Sequence, residues 1–365
     1  MPRPDARIDR LSASAYRIPT EGPESDGTLA WDATTMVLVE VSAAGQTGIG
    51  YTYGDASAAD VSRRVLGPVV SGRDAMNIPS CWQAMRDAVR NVGRSGIAAT
   101  AISAVDVALW DLKGKLLDVS IADLMGLSRP GIPAYASGGF TSQSRDELKE
   151  QVGGWAAEGY SMVKMKVGRD PGADADRVRA AREAIGAEVA LFVDANAAYS
   201  RKQALALAES FAEQGVSAFE EPVSSDDVEG LRLLRDRVPA GIAIVAGEYA
   251  YDALDIRRLL DGGAVDLIQA DATRCLGITG FLQAGTLAET HQIPLSSHCA
   301  PSLHATLCCA VAGAIHAEDF VDHARIESLF FEGAPRPDRG VLRPDRARPG
   351  LGLEFKRADA EAFAV

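Results

Sequence analysis

Seven short apolar runs in the second half of the chain each end on an ionisable residue: Lys166, Asp194, Glu220, Glu248, Asp271, His298 and Asp322. The steps between them are 28, 26, 28, 23, 27 and 24 residues, each long enough for one strand, one loop and one helix. Apolar stretches at 132–137, 160–167, 189–194, 216–219, 242–246, 265–270, 293–296 and 320–321 mark the strands, and Ala-, Glu- and Arg-rich segments such as 201–214 mark the helices between them. Such alternation predicts a parallel sheet. Eight units predict closure into a barrel, with an open seven-unit sheet as the other arrangement. In a barrel the C-terminal ends of all strands open on one face, so these residues should converge there.

The first third reads differently. Residues 5–55 suggest a hairpin or meander, with extended segments at 6–18, 36–41 and 48–53 and a Gly/Pro/acid-rich loop over Thr20–Thr28. From Ser57 to Gly126 the pattern is helical, and Ile102, Val105, Leu109 and Leu112 fall on one stripe. SRPGIPAY, Ser128 to Tyr135, carries the breakers that end this unit. The expected organisation is an α+β capping domain over 1–130 and a barrel over 131–331. The Pro-, Gly- and Arg-rich tail, 332–365, should pack back on the capping domain.

Composition excludes some partners. With 47% apolar and 24% charged residues the chain reads as globular. A net charge of −13 supplies no basic stripe for nucleic acid or an anionic membrane, although local cations could still bind a small carboxylate. Cys81, Cys275, Cys299, Cys308 and Cys309 show no CxxC or zinc-type spacing, which suits a reduced, cytoplasmic setting. The N-terminus shows no apolar core of a signal peptide. The most apolar stretch, 305–315, is about half the length of a spanning helix and reads as a buried helix.

Three constellations carry chemistry. Asp194, Glu220 and Glu248 follow runs that should be buried, and three oxygen donors from successive strands suit a hard cation such as Mg²⁺. Each could separately cap the next helix, but three in succession favour a shared ion. Lys164 and Lys166 alternate along one strand and so point to the same side. Close ammonium groups depress each other's pKa, which would let one act as a base near neutrality while the other stays charged. Asp271 and His298 end consecutive strands, where the carboxylate would fix the imidazole's tautomer and make it a proton carrier.

The ordered set VKMKVG, VDAN, FEEP, AGE, D-x-x-R-x-x-G-I-T-G and SSH, with the helix IAATAISAVDVALWDLKGK before it and RPGLGLE after it, resembles the mandelate racemase-type subgroup of the enolase superfamily along nearly the whole chain. The resemblance implies a TIM-type (β/α)7β barrel with an N-terminal α+β cap. It implies Mg²⁺-assisted removal of the α-proton of a small-molecule carboxylate through an enediolate, and a homo-oligomer. By position, Asp194, Glu220 and Glu248 would hold Mg²⁺. Lys166 and His298, the latter oriented by Asp271, would flank the substrate carbon, and Lys164 would neutralise the substrate carboxylate. Asn196, Arg274, Glu21 and Tyr53 would contact the substrate, the last two from segments 20–31 and 51–55 that fold over the barrel mouth.

This chain departs from the family pattern at the last strand, where the family commonly has a Glu. The best-aligned residue is Asp322 in FVDHARIE, with Glu318 and His323 as substitutes. The Glu220–Glu248 gap is also a residue or two longer than usual. Bases on both faces of one carbon allow dehydration of a sugar acid or diacid, the favoured expectation, or racemisation and epimerisation. A cycloisomerase of this family would need a Lys where Asp271 stands. A catalytically inert sugar-acid binder is the remaining alternative, although no ligand or base is missing apart from the change at the last strand.

Overall fold

A computed structural model describes residues 6–365. Three antiparallel strands open the chain, β1 Ile8–Ser25, β2 Ala30–Ala43 and β3 Gln46–Tyr53. Eight parallel strands follow: β4 Ile132–Gly138, β5 Met162–Lys166, β6 Ala190–Asp194, β7 Val216–Glu220, β8 Ala243–Ala246, β9 Leu267–Ala270, β10 Leu295–Ser297 and β11 Ala314–Phe320. They pair in sequence order and β11 pairs with β4, closing a barrel. Helices separate the successive strands, and the short helix after the eighth, Val321–Phe330, leads back to the first sheet, where the Phe330 ring packs on Tyr16. The open-sheet alternative is excluded.

Three expectations need correction. Residues 20–25 are not a loop: β1 continues through them across an irregularity between Pro19 and Glu24, so that Glu24 and Ser25 pair with Trp31 and Ala30. The helix after His298 is Pro301–Ala310 and stops short of Ile315. The eighth strand is Ala314–Phe320 rather than 320–321, and Val321 already begins a helix.

The helix Ile97–Leu117 is buried on most of its surface, packed against β2, β3 and the helix Gly277–Thr290 among other elements. A Cβ added to Gly50 would lie 2.1 Å from the Ala104 carbonyl oxygen, so the glycine lets β3 approach the helix backbone. Polar side chains on this helix satisfy backbone groups elsewhere. Asp111 accepts the N–H groups of Ile49 and Leu351, both at 2.7 Å. Ser103 Oγ accepts the N–H groups of Leu276 and Gly277, and Asp106 accepts the backbone N–H and hydroxyl of Thr279 at 2.9 and 2.8 Å. The Ser103 and Asp106 bonds supply the first turn of the helix Gly277–Thr290, whose N–H groups have no intrahelical partner. They therefore tie the first unit to the βα unit that carries Asp271. Residues of the tail contact the first unit as well, through Arg357 to Glu40 at 2.6 Å and Phe355 against Tyr16. Among the described residues no helix is long and apolar enough to cross a membrane.

Candidate active site

Barrel register brings the acids together. Lys166, Asp194 and Glu220 are direct partners at the ends of β5, β6 and β7, and in a parallel ladder register partners project to the same side. Glu248 follows Gly247, where φ is +139° and a Cβ would lie 2.1 Å from the Gln269 carbonyl oxygen. Only glycine permits that approach, which sets Glu248 over the neighbouring strand. Asp271 and His298 follow β9 and β10. Non-glycine residues with positive φ cluster in these turns, at Asn196, Ala197, Glu221, Cys299 and Ala300. Strained backbone of this kind concentrates where side chains must be aimed.

One oxygen from each of Asp194, Glu220 and Glu248 can be chosen so that all lie within 4.8 Å of one another, all three residues being buried. Each acid also faces a basic side chain: Asp194 meets Lys166 Nζ at 2.5 Å, Glu220 meets Lys164 Nζ at 2.7 Å, and Glu248 meets His298 Nε2 at 2.9 Å. Among the described residues, Glu220 Oε1 and both oxygens of Glu221 are buried with no hydrogen-bond partner. Three converging carboxylates, one of them with a partnerless oxygen, fit a hard divalent cation held at about 2.1 Å, whose remaining positions go to water or substrate.

Electrostatics follow from this crowding. Burial and the charge of Asp194 push the Glu220 carboxyl up to about 8. Burial acts on Glu248 in the same direction, but the adjoining His298 outweighs it and holds that carboxyl well below its usual range. Burial disfavours the Lys166 ammonium, yet Asp194, Glu248 and Glu220 together more than offset this and the pKa rises. The expected mutual depression of the two lysines is therefore overridden by the acids across the barrel. Lys164 is raised too, because Glu220 and Glu318 outweigh its burial. Asp271 Oδ2 meets His298 Nδ1 at 2.8 Å, leaving Nε2 as the nitrogen aimed at Glu248 and the cavity.

A cavity of about 250 Å³ opens above the acids, lined by Lys166, Asn196, Glu248, Arg274, His298 and Glu318 on its inner side. Asp26, Trp31, Thr34, Thr35, Tyr53, Tyr249, Cys299, Phe320 and His323 close the rest. Of the four residues expected to contact substrate, Asn196, Arg274 and Tyr53 are therefore present, and Glu21 is not: it lies exposed on β1. The acids of that segment are used locally. Glu24 accepts the Trp31 indole N–H at 2.7 Å and Asp26 accepts the N–H groups of Thr28 and Leu29, both at 2.6 Å. Lys164 lies beneath the cavity, between Glu220 and Glu318.

Asp322 does not end the last strand. It sits in the first turn of the following helix, bonded to the Thr34 hydroxyl and to Arg325. The position on the barrel wall belongs to Glu318, which meets Lys164 Nζ at 2.8 Å and accepts the Cys299 N–H at 2.7 Å. Cys299, Trp31, Tyr249 and Phe320 were not singled out from the sequence. The aromatics carry no periodic signal, and a lone Cys beside a His in SSHCAP was legible only as a neighbour.

Two sequence families match this chain. Residues 19–126 match the mandelate racemase / muconate lactonizing enzyme N-terminal domain, and residues 147–360 match the enolase C-terminal domain-like family. The chain belongs to the mandelate racemase/muconate lactonizing enzyme family of the enolase superfamily. It is similar to a 3,6-anhydro-alpha-L-galactonate cycloisomerase of Streptomyces coelicolor, at 33% identity over 96% of this chain and 98% of that protein. It is also similar to the L-talarate/galactarate dehydratase of Salmonella typhimurium, at 31% identity over 95% and 88%. Among solved structures, a mandelate racemase/muconate lactonizing enzyme-like protein from Rubrobacter xylanophilus aligns with a TM-score of 0.96 at 55% identity, covering 98% and 100% of the two chains. A racemase from Streptomyces coelicolor A3(2) with bound magnesium aligns at 0.92 and 31% identity, covering 98% and 100%. This family member is thus an enzyme of the mandelate racemase type, a lyase or an isomerase.

Proposed function

We propose that this enzyme is a Mg²⁺-dependent acid-sugar dehydratase, which removes the α-proton of a hydroxylated carboxylate and expels the β-oxygen to give a 2-keto-3-deoxy acid. The observation that carries this reading is that Lys166, at the end of β5, and His298, just after β10, line one cavity from strands three steps apart around the eight-strand ring, beside the three acids. Asp194, Glu220 and Glu248 would hold the cation. Bound there, Mg²⁺ would offset the carboxylate charge around Lys166 and take up negative charge that builds on the substrate carboxylate.

The chain's own groups supply the proton transfers. Lys166 Nζ takes the α-proton, and His298 Nε2 delivers a proton to the β-oxygen as its bond to carbon breaks. Asp271 holds His298 Nδ1 and stabilises the imidazolium between transfers. Lys164, fixed beneath, keeps a positive charge next to the reacting carboxylate. Relatives of both reaction types fit the scheme. In a 3,6-anhydro acid the β-oxygen is a ring ether, so the same cleavage opens a ring instead of releasing water, with no Lys needed at Asp271. Where no β-oxygen faces His298, the imidazole returns its proton to the vacated carbon and the product is the epimer, the reading favoured by the magnesium-containing racemase.

Incubating the enzyme and Mg²⁺ with a panel of mono- and diacid sugars, and trapping 2-keto acids with semicarbazide, tests the proposal. The expected result is a 2-keto product that disappears on chelation and returns with Mg²⁺. Formation of epimers alone, or full activity in chelator-treated protein, refutes it.

A further inference from the structure

Cys299 offers a donor that the proposed elimination does not use. Its Sγ lies 3.2 Å from His298 Nε2, and it lines the same cavity. Donor atoms of His298, Cys299 and Glu318 all lie within 4.8 Å of one another. We propose that these three residues form a second, soft-metal site, which takes Zn²⁺ or Cd²⁺ and switches the enzyme off. The site is independent of the assigned reaction, and only its inhibitory effect rests on His298 carrying protons.

Its chemistry differs from that of the acid trio. Asp194, Glu220 and Glu248 present oxygen alone, which suits hard ions, whereas a thiolate and an imidazole select zinc and its softer relatives. The separation is also right. Zn–N and Zn–S bonds of about 2.0 and 2.3 Å at a tetrahedral angle place the two donors about 3.5 Å apart, close to the 3.2 Å observed.

The donors are held in place. Asp271 anchors His298 through Nδ1 and leaves Nε2 for the metal, the kind of support that orients ligating histidines. Cys299 and Ala300 both have positive φ, and Glu318 accepts the Cys299 N–H, so the turn presents its sulfur toward the imidazole. Glu318 also meets Lys164, but each carboxylate oxygen has a second lone pair with which to reach an ion. The fourth position opens on the cavity. Binding releases the thiol proton, and the imidazole proton directed at Glu248, to solvent, with no change of oxidation state.

The test uses full-length enzyme saturated with Mg²⁺ and titrated with Co²⁺ as a coloured substitute for Zn²⁺. A near-ultraviolet sulfur-to-cobalt charge-transfer band should grow to one equivalent, be bleached by Zn²⁺, persist in Cys81→Ser and vanish in Cys299→Ser. Zn²⁺ inhibition should resist excess Mg²⁺, and the half-inhibiting Zn²⁺ concentration should rise about tenfold or more in Cys299→Ser. Zn²⁺ should also slow alkylation of Cys299, read by mass spectrometry on the unsubstituted protein, so the idea can be judged even if Cys299→Ser folds poorly. Absence of the cobalt band, its survival in Cys299→Ser, or unchanged alkylation with Zn²⁺ overturns the proposal. Zn²⁺ inhibition that Mg²⁺ relieves does so too, since it places the ion on the acid trio.

Discussion

Replacing Lys164 by Met tests how the site is held together. The lysine is 1% exposed, and its ammonium contacts Glu220 at 2.7 Å, Glu318 at 2.8 Å and Asp194 at 3.7 Å, above the ring of Tyr135. Met keeps most of the apolar stem and removes only the charge. Two buried carboxylates are then left without their shared cation, and breaking a buried pair in this way costs about 3–5 kcal/mol. For 365 residues an unfolding entropy of about 2.1 cal/mol/K per residue gives roughly 0.8 kcal/mol per degree. Metal-free Lys164→Met should therefore melt about 4–7 °C below the parent in a calorimetric scan. Adding Glu318→Gln removes one of the stranded charges and should recover a large part of the loss. Saturating Mg²⁺ should narrow the gap, because an ion bound by Glu220 restores positive charge beside that carboxylate. A metal-free midpoint equal to or above that of the parent would show that Lys164 does not compensate these acids.

Three further outcomes are expected. Lys166→Ala and His298→Asn should each abolish turnover, while one of them retains exchange of the substrate α-proton in deuterated solvent, followed by NMR; normal turnover in both would mean that the reacting carbon lies elsewhere. Glu318→Ala should lower kcat at saturating Mg²⁺ and substrate by about 100-fold or more, the scale of a lost electrostatic stabiliser, whereas Asp322→Ala should act mainly on stability through its bonds to Thr34 and Arg325; the reverse ranking would restore Asp322 to the site. Burial, against hydrogen bonds from the Ser302 N–H and the hydroxyls of Tyr51 and Tyr53, pushes the Glu327 carboxyl up to about 7. Because the folded pKa lies above the unfolded value, this group's contribution is full below about pH 4.5 and is lost as pH rises through about 7. Relative to the parent, Glu327→Gln should thus gain stability between about pH 5 and about pH 8 in urea unfolding, and a pH-independent difference would contradict the assignment.

What could be read from the sequence depended on how many faces of a strand are buried. Strands β6, β7 and β8 are covered by helices outside and by the barrel within, so ALFVD, VSAFE and AIVAGE stand out as apolar runs that stop at an acid. Strand β11 breaks that rule. His316 and Glu318 are buried polar residues, Ile315 is 46% exposed, and Asp319 is bonded to the Tyr160 hydroxyl. With polarity buried and an apolar residue facing out, AIHAEDF lacks the pattern of a buried strand, and the next place where an apolar residue precedes an acid is Val321-Asp322. That pair is a helix start. Signs of charge effects were hidden for a related reason. KMK shows that two ammonium groups share a face, but not that Glu220 and Glu318 close around Lys164 and Asp194 around Lys166, because those pairings depend on barrel closure and register. Glu24 makes the same point from the cap. As a loop acid it would be free to read substrate hydroxyls, but β1 runs on past Pro19, buries the side chain against Trp31 and leaves the cavity wall to the indole. Residues that end a doubly buried strand are therefore legible in a single sequence, whereas residues whose chemistry is set by what lies across the barrel require the closed ring.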